Sequence, residues 1–127
     1  MKKVLIISGI AFVLFAVSVA VSFNSIYQGV REIAETARQE YKGDTVESLM
    51  ALLRSESHSF KDKNRAIWAL GQIGDKRALP ELKRLDTDEI QPKPWDPNRI
   101  IVQYSVEKAI RQIKDGFIAT RWMYRDL

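Results

Sequence analysis

Residues 4–23, VLIISGIAFVLFAVSVAVSF, carry no charged side chain, and the uncharged stretch continues to Val30 before Arg31 interrupts it. Twenty residues rising about 1.5 Å each reach about 30 Å, the thickness of a bilayer's hydrocarbon core. In lipid a single isolated segment satisfies its own backbone N–H and C=O groups only as a helix. The pattern therefore predicts a membrane anchor over residues 1–23, a transmembrane helix that meets the bilayer through residues 4–23. Lys2 and Lys3, with Ala20-Val21-Ser22 as a small-x-small site, also fit a cleaved signal peptide. The apolar core outruns the roughly 7–15 residues of such peptides, which favours a retained anchor. A buried helix of a soluble core is the third reading, and the length weighs against it. Two lysines precede the span, whereas Arg31, Arg38 and Lys42 follow at a distance. By the positive-inside rule the N-terminus is expected in the cytoplasm and residues 24–127 outside it, in the periplasm if the cell is Gram-negative.

Beyond the span every periodic segment has the helical repeat and none alternates as a strand does. Residues 24–43 form a juxtamembrane helix, with Ile26, Val30, Ile33, Ala34, Ala37 and Tyr41 on one face and Arg31, Glu32, Glu35, Arg38 and Glu40 on the other. Gly43 stops it, and Asp44-Thr45-Val46-Glu47 starts the next helix in the manner of a capping box. That helix buries Val46, Leu49, Met50 and Leu53 and ends near Ser55. A polar connector, Ser57–Asp62, leads to a helix on which Ala66, Ala69, Leu70 and Ile73 follow the i, i+3, i+4, i+7 rule. Gly74 ends it and Asp75 caps its successor, whose face is Ala78, Leu79, Leu82 and Leu85. Pro80 fits only in a first turn. QPKPWDPNR (91–99) breaks helicity. Asp96-Pro97 then predicts a helix start, with Asp at the N-cap and Pro first inside. The last strong helix is expected over 97–115, burying Val102, Val106, Ala109, Ile110 and Ile113, with Gly116 as its stop. A short amphipathic helix is expected in the tail, residues 117–127.

The same residue types recur at fixed spacings. A shift of 40 carries Ala66, Ala69, Leu70, Ile73 and Asp75 onto Val106, Ala109, Ile110, Ile113 and Asp115; a shift of 33 carries Val46, Leu49 and Leu52 onto Leu79, Leu82 and Leu85. Two alternating helix types at such spacings indicate stacked helix pairs, with residues 91–97 as an insertion that lengthens one of them. No pair buries its apolar face alone, so neighbours must stack. The fold class that follows is all-α: an N-terminal transmembrane helix, then a short α-solenoid of two to three helix pairs over residues 44–116.

Residues 65–85, RAIWALGQIGDKRALPELKRL, resemble a HEAT-like repeat of the phycobilisome-lyase type. The resemblance rests on Ala66, Ala69, Leu70-Gly71, Ile73-Gly74-Asp75, Ala78-Leu79-Pro80, Leu82 and the closing Leu85. It weakens outside that unit. Residues 45–55 resemble only a second helix, and residues 103–115 only a first helix with Arg111 in place of the glycine. The resemblance implies a helical-repeat scaffold and by itself no activity, since one fold hosts many functions.

Composition adds mainly exclusions. The chain has 127 residues, no cysteine and one histidine, so it has no disulfide framework, no cysteine zinc site and no thiol nucleophile. Its 46% apolar content is too high for a disordered chain. The 20 basic side chains include Lys2 and Lys3, so beyond the N-terminus 18 face 16 acidic ones, too even a balance for nucleic-acid binding. His58 reads as an exposed loop residue rather than a base. Asp86, Asp88 and Glu89 read as a solvated turn rather than a cation loop. Glu32 and Glu35 pair along their helix with Arg31 and Arg38. Gly71 and Gly74 serve helix packing and helix ending rather than phosphate binding. No catalytic, metal or cofactor site is expected, and the chain is not expected to be an enzyme.

Three features point to partner binding. Trp95, beside Arg99, sits in a proline-stiffened loop, and tryptophan is enriched where binding energy concentrates; such a residue also folds back to cap a core. Trp68 lies off the best apolar face of its helix, where it either projects outward or packs on the anchor-proximal helix. Arg121, Trp122, Tyr124 and Arg125 interleave cations with aromatics. They are expected to cap the open face of the last repeat, with membrane-interface or partner contact as the other use. The function expected is a membrane-anchored scaffold or adaptor for a protein partner, an accessory subunit of a membrane complex. The alternative is a lyase-like or chaperone-like assembly factor for a chromophore-bearing or client protein.

Overall fold

The computed structural model of the chain describes residues 1–116 and 121–127. Its first helix, α1 (Lys2–Glu40), is a single element of 39 residues that joins the apolar segment to the juxtamembrane segment without a break. At about 1.5 Å per residue it is about 58 Å long. Its two halves have opposite surroundings. Eleven large apolar side chains between Val4 and Val21 are each more than half exposed, whereas Val30, Ile33, Ala34 and Ala37 are buried. One half offers greasy surface; the other is core.

The four remaining helices are short, and α2 and α3 are capped as their sequences prescribe. α2 (Thr45–Arg54) begins at Asp44, whose side chain accepts the Glu47 N–H at 2.9 Å. α3 (Phe60–Ile73) begins at Ser59, which accepts the Asp62 N–H at 3.2 Å. The connector is therefore shorter than expected: it ends at Ser59, whose hydroxyl satisfies an orphan N–H of the first turn. Gly74 closes α3 in the left-handed conformation, φ 73°. Asp75 then caps a single 3₁₀ turn (Lys76–Ala78), and α4 (Leu79–Leu85) follows with Pro80 in its first turn.

α5 (Gln103–Asp115) starts six residues later than the Asp96-Pro97 signal predicts. Asp96 does cap, accepting the Asn98 N–H at 3.0 Å, and its carbonyl accepts from Arg99 and Ile100, but only one turn forms. Three buried or half-buried amide side chains take over the backbone groups that a longer helix would have used. Asn64 of α3 donates to the carbonyls of Pro97 (2.9 Å) and Ile100 (2.7 Å) and accepts the Val102 N–H (3.0 Å). Gln91 donates to Ile101 O and accepts the Gln103 N–H, each at 2.9 Å. Gln103 in turn accepts the Thr87 N–H and donates to Leu85 O. Tertiary hydrogen bonds outbid the local cap.

α1, α3 and α5 follow one another as neighbours, α2 packs against both α1 and α3, and α4 lies against α5. One core runs through them, from Val30 and Ile33 through Leu49, Leu52, Ile67 and Leu70 to Val106 and Ile113. The positions related by the shift of 40 share it: Ala66, Ala69 and Leu70 are buried, as are Val106, Ala109 and Ile110. α3 and α5 cross closely at Gly71, where a Cβ would stand 3.0 Å from the Cα of Ala109. Across the second helices, Arg54 of α2 and Arg84 both donate to Glu81 of α4, at 2.8 Å and 2.5 Å. Among the described residues every regular element is helical.

Candidate binding surface

The residues with recognition chemistry do not converge on one patch. Trp68 packs on α1: a Cβ on Gly29 would lie 3.1 Å from its ring. Of the two placements open to it, the one against the anchor-proximal helix is the one adopted. Trp95 folds back on its own loop, stacked on Tyr104 at 5.4 Å and donating its indole N–H to Gln91 O at 3.1 Å, with Lys93 Nζ over the ring. Arg99 stays exposed, 3.5 Å from Asp96. Trp68 and Trp95 are thus half-buried and engaged within the chain.

Arg121, Trp122, Tyr124 and Arg125 are brought together around one concavity. Residues 117–120 of the expected tail helix lie outside the described residues; Arg121–Tyr124 form a 3₁₀ turn. Its Arg121 bonds the end of α5, donating to Gly116 O and Gln112 O. The tail also returns to the middle of α1 and the start of α2, where Tyr124 stacks on Tyr27 at 6.1 Å and the Leu127 carbonyl accepts the Thr45 hydroxyl at 2.5 Å. Tyr124 is therefore core, 6% exposed, and leaves the set of residues free to meet a partner. Arg121 is drawn in too: it donates to Gly116 O at 2.8 Å and its guanidinium lies directly on Gly74, where no side chain would fit. Trp122, at 64% exposed, and Arg125 remain outside.

Two concavities flank Trp122. The larger, about 870 Å³, lies between the start of α2, the Gly74–Asp75 corner and the tail, and includes Arg77, Arg121 and Arg125 in its wall. The smaller, about 360 Å³, is a groove between Trp122, Met123 and the Phe23–Tyr27 turn of α1. Arg77 is not a free cation: it donates to Asp75 at 2.9 Å and to Asp44 at 2.7 Å, joining the start of α2 to that of the 3₁₀ turn. Hydrogen bonding to Asp75 first, and to Asp44 second, raises its pKa. The Arg77 hydrogen bond likewise holds Asp75 below the usual carboxylate range, while at Asp44 the Glu47 N–H is the main cause of the same shift.

His58 was expected to be an exposed loop residue and is not. Its side chain is 9% exposed, its Nε2 lies 2.7 Å from Glu40 and its Nδ1 3.5 Å from Asp62. The connector folds it onto Tyr41, so it ties the end of α1 to the start of α3. Glu32 also reaches across elements, to Arg65 at 2.9 Å, while Arg31 and Glu35 make the expected pair along the helix. Among the described residues no cluster of three metal-ligating side chains forms.

The model of the PBS lyase HEAT-like repeat matches residues 63–88, which run from the first turn of α3 through α4. This is the segment on which the resemblance was built, and it identifies a helical-repeat element of a kind that generally serves protein–protein interaction. No curated protein and no solved structure matches the chain.

Proposed function

We propose that the chain is a single-pass membrane protein that holds a small HEAT-like module against the bilayer for a protein partner, as a non-catalytic accessory subunit of a membrane complex. One observation carries the reading. The helix whose residues 30–37 form the core is the same helix whose residues 4–21 bury nothing, so apolar segment and repeat module are one continuous element. A soluble protein would gain about 25 cal/mol for each Å² of that surface it covered, and among the described residues nothing packs over it. Repeat modules recognise partners with extended helical faces, and α2, α4 and α5 keep polar outer faces for that purpose. The lysines at positions 2 and 3 favour a cytoplasmic N-terminus with the module outside.

Alkaline carbonate washing of membranes containing the full chain tests the anchor, which is expected in the pellet; recovery in the supernatant overturns it. Gentle detergent extraction tests the adaptor role. A stoichiometric companion polypeptide is expected, and a monodisperse lone chain contradicts it. The repeat match also favours a second reading, an assembly factor acting on a chromophore-bearing client. Bilin retained on the purified chain would support that reading over the first.

A further inference from the structure

Trp122 and Met123 stand beside one particular turn of α1, and that turn is where the apolar span ends. The groove between them is walled by Phe23, Asn24 and Tyr27. Counted along the helix, the span Val4–Phe23 uses about 30 Å of hydrocarbon, and Tyr27 lies only about 6 Å further on. The headgroup layer on each side of a bilayer is about 5–8 Å thick. The turn Phe23–Tyr27 thus occupies that layer whenever the span occupies the hydrocarbon, and whatever is packed beside it shares its depth.

We propose that the C-terminal turn Arg121–Tyr124 is a membrane-interface seat, in which Trp122 and Met123 rest among the phospholipid headgroups and set the module's attitude on the bilayer; this rests on the anchored reading above. Continuity of surface argues for lipid as the occupant. The exposed apolar side of α1 runs through Val21 directly into the groove, with no charged residue before Arg31. Tryptophan is the side chain that prefers this layer, having an apolar ring and one N–H to satisfy. Its exposure of 64% contrasts with the buried Tyr124 two positions on, which pins the turn to Tyr27. Arg125 lines the larger concavity that Trp122 also borders, a cation of the kind that pairs with phosphate.

The test uses the full chain in nanodiscs whose lipid is brominated high on the acyl chain, with unbrominated lipid as the reference. Wild type is compared with Trp122→Phe, so that Trp68 and Trp95 contribute equally to both. A third protein, Phe12→Trp in the Trp122→Phe background, reports on the span in lipid brominated near the chain ends. Extra quenching of wild type over Trp122→Phe, together with quenching of the Phe12→Trp reporter, is the expected result. A quenched reporter with wild type no more quenched than Trp122→Phe overturns the seat and leaves the anchor standing, as it would if a second copy or a partner helix filled the groove. An unquenched reporter overturns both.

Discussion

Asn64 is one amide, yet it closes three hydrogen bonds to a loop more than thirty residues away, and so decides where α5 begins. Truncation to alanine leaves the buried Val102 N–H without its acceptor and frees two carbonyls that water reaches in part. An unmet buried group costs about 1–3 kcal/mol, so Asn64→Ala is expected to destabilise by about 2–3 kcal/mol in urea melts of the detergent-solubilised chain. Glu81 is the complementary case among charges. Burial pushes its pKa up, but hydrogen bonds from Arg84 and Arg54 outweigh burial and the net shift is downward from 4.5. A depressed carboxylate stabilises the fold above its unfolded value and loses that contribution as pH falls through the folded one. Stability should therefore decline as pH drops below 4.5, with Asp44 and Asp75 adding to the loss from 3.8 downward. The pH dependence of the thermal midpoint should be shallower in Glu81→Gln; an unchanged acid limb would show that the Arg54–Glu81–Arg84 cluster contributes little. None of these roles was visible in the sequence, where Asn64, Glu81 and His58 look like surface residues. Partners of theirs lie 36, 27 and 18 positions away, and only the fold brings them together.

The helices themselves were largely legible, because caps and periodicity act over one turn. Asp44, Gly74 and Asp75 end or begin elements where their side-chain chemistry requires it. Asp96-Pro97 has the same local signature and yields only a turn, since Asn64 and Gln91 hold the following residues extended. Close packing between elements sets a further constraint. Gly71→Ala would press a methyl to within 3.0 Å of Ala109 and against Gln112, and because one obstacle is backbone, α3 and α5 must part. The expected loss is about 1–3 kcal/mol, read by thermal denaturation, with the far-UV helical signal retained. A neutral result would mean that the α3–α5 crossing is looser than its geometry implies.

At the level of the whole molecule the decisive feature is closure of the tail onto α1. Arg121 bonds the end of α5, while Tyr124 and Leu127 join α1 and the start of α2. Tyr124→Ala should release the turn, so that trypsin cuts after Arg121 and Arg125 much faster than in wild type while residues 30–113 stay resistant. Equal cleavage rates would show that the Tyr27–Tyr124 stack does not hold the tail. Hydrophobic periodicity, capping residues and an uncharged run of membrane length act between near neighbours, so the sequence alone determined an all-helical chain with a long apolar first helix and a HEAT-like repeat in its middle. Where Trp68 and Trp122 face, which carboxylates are buried, and that the C-terminal tail meets the middle of α1 depend on contacts among residues far apart in sequence. Those contacts exist only once the core has formed, so the tertiary structure decided them.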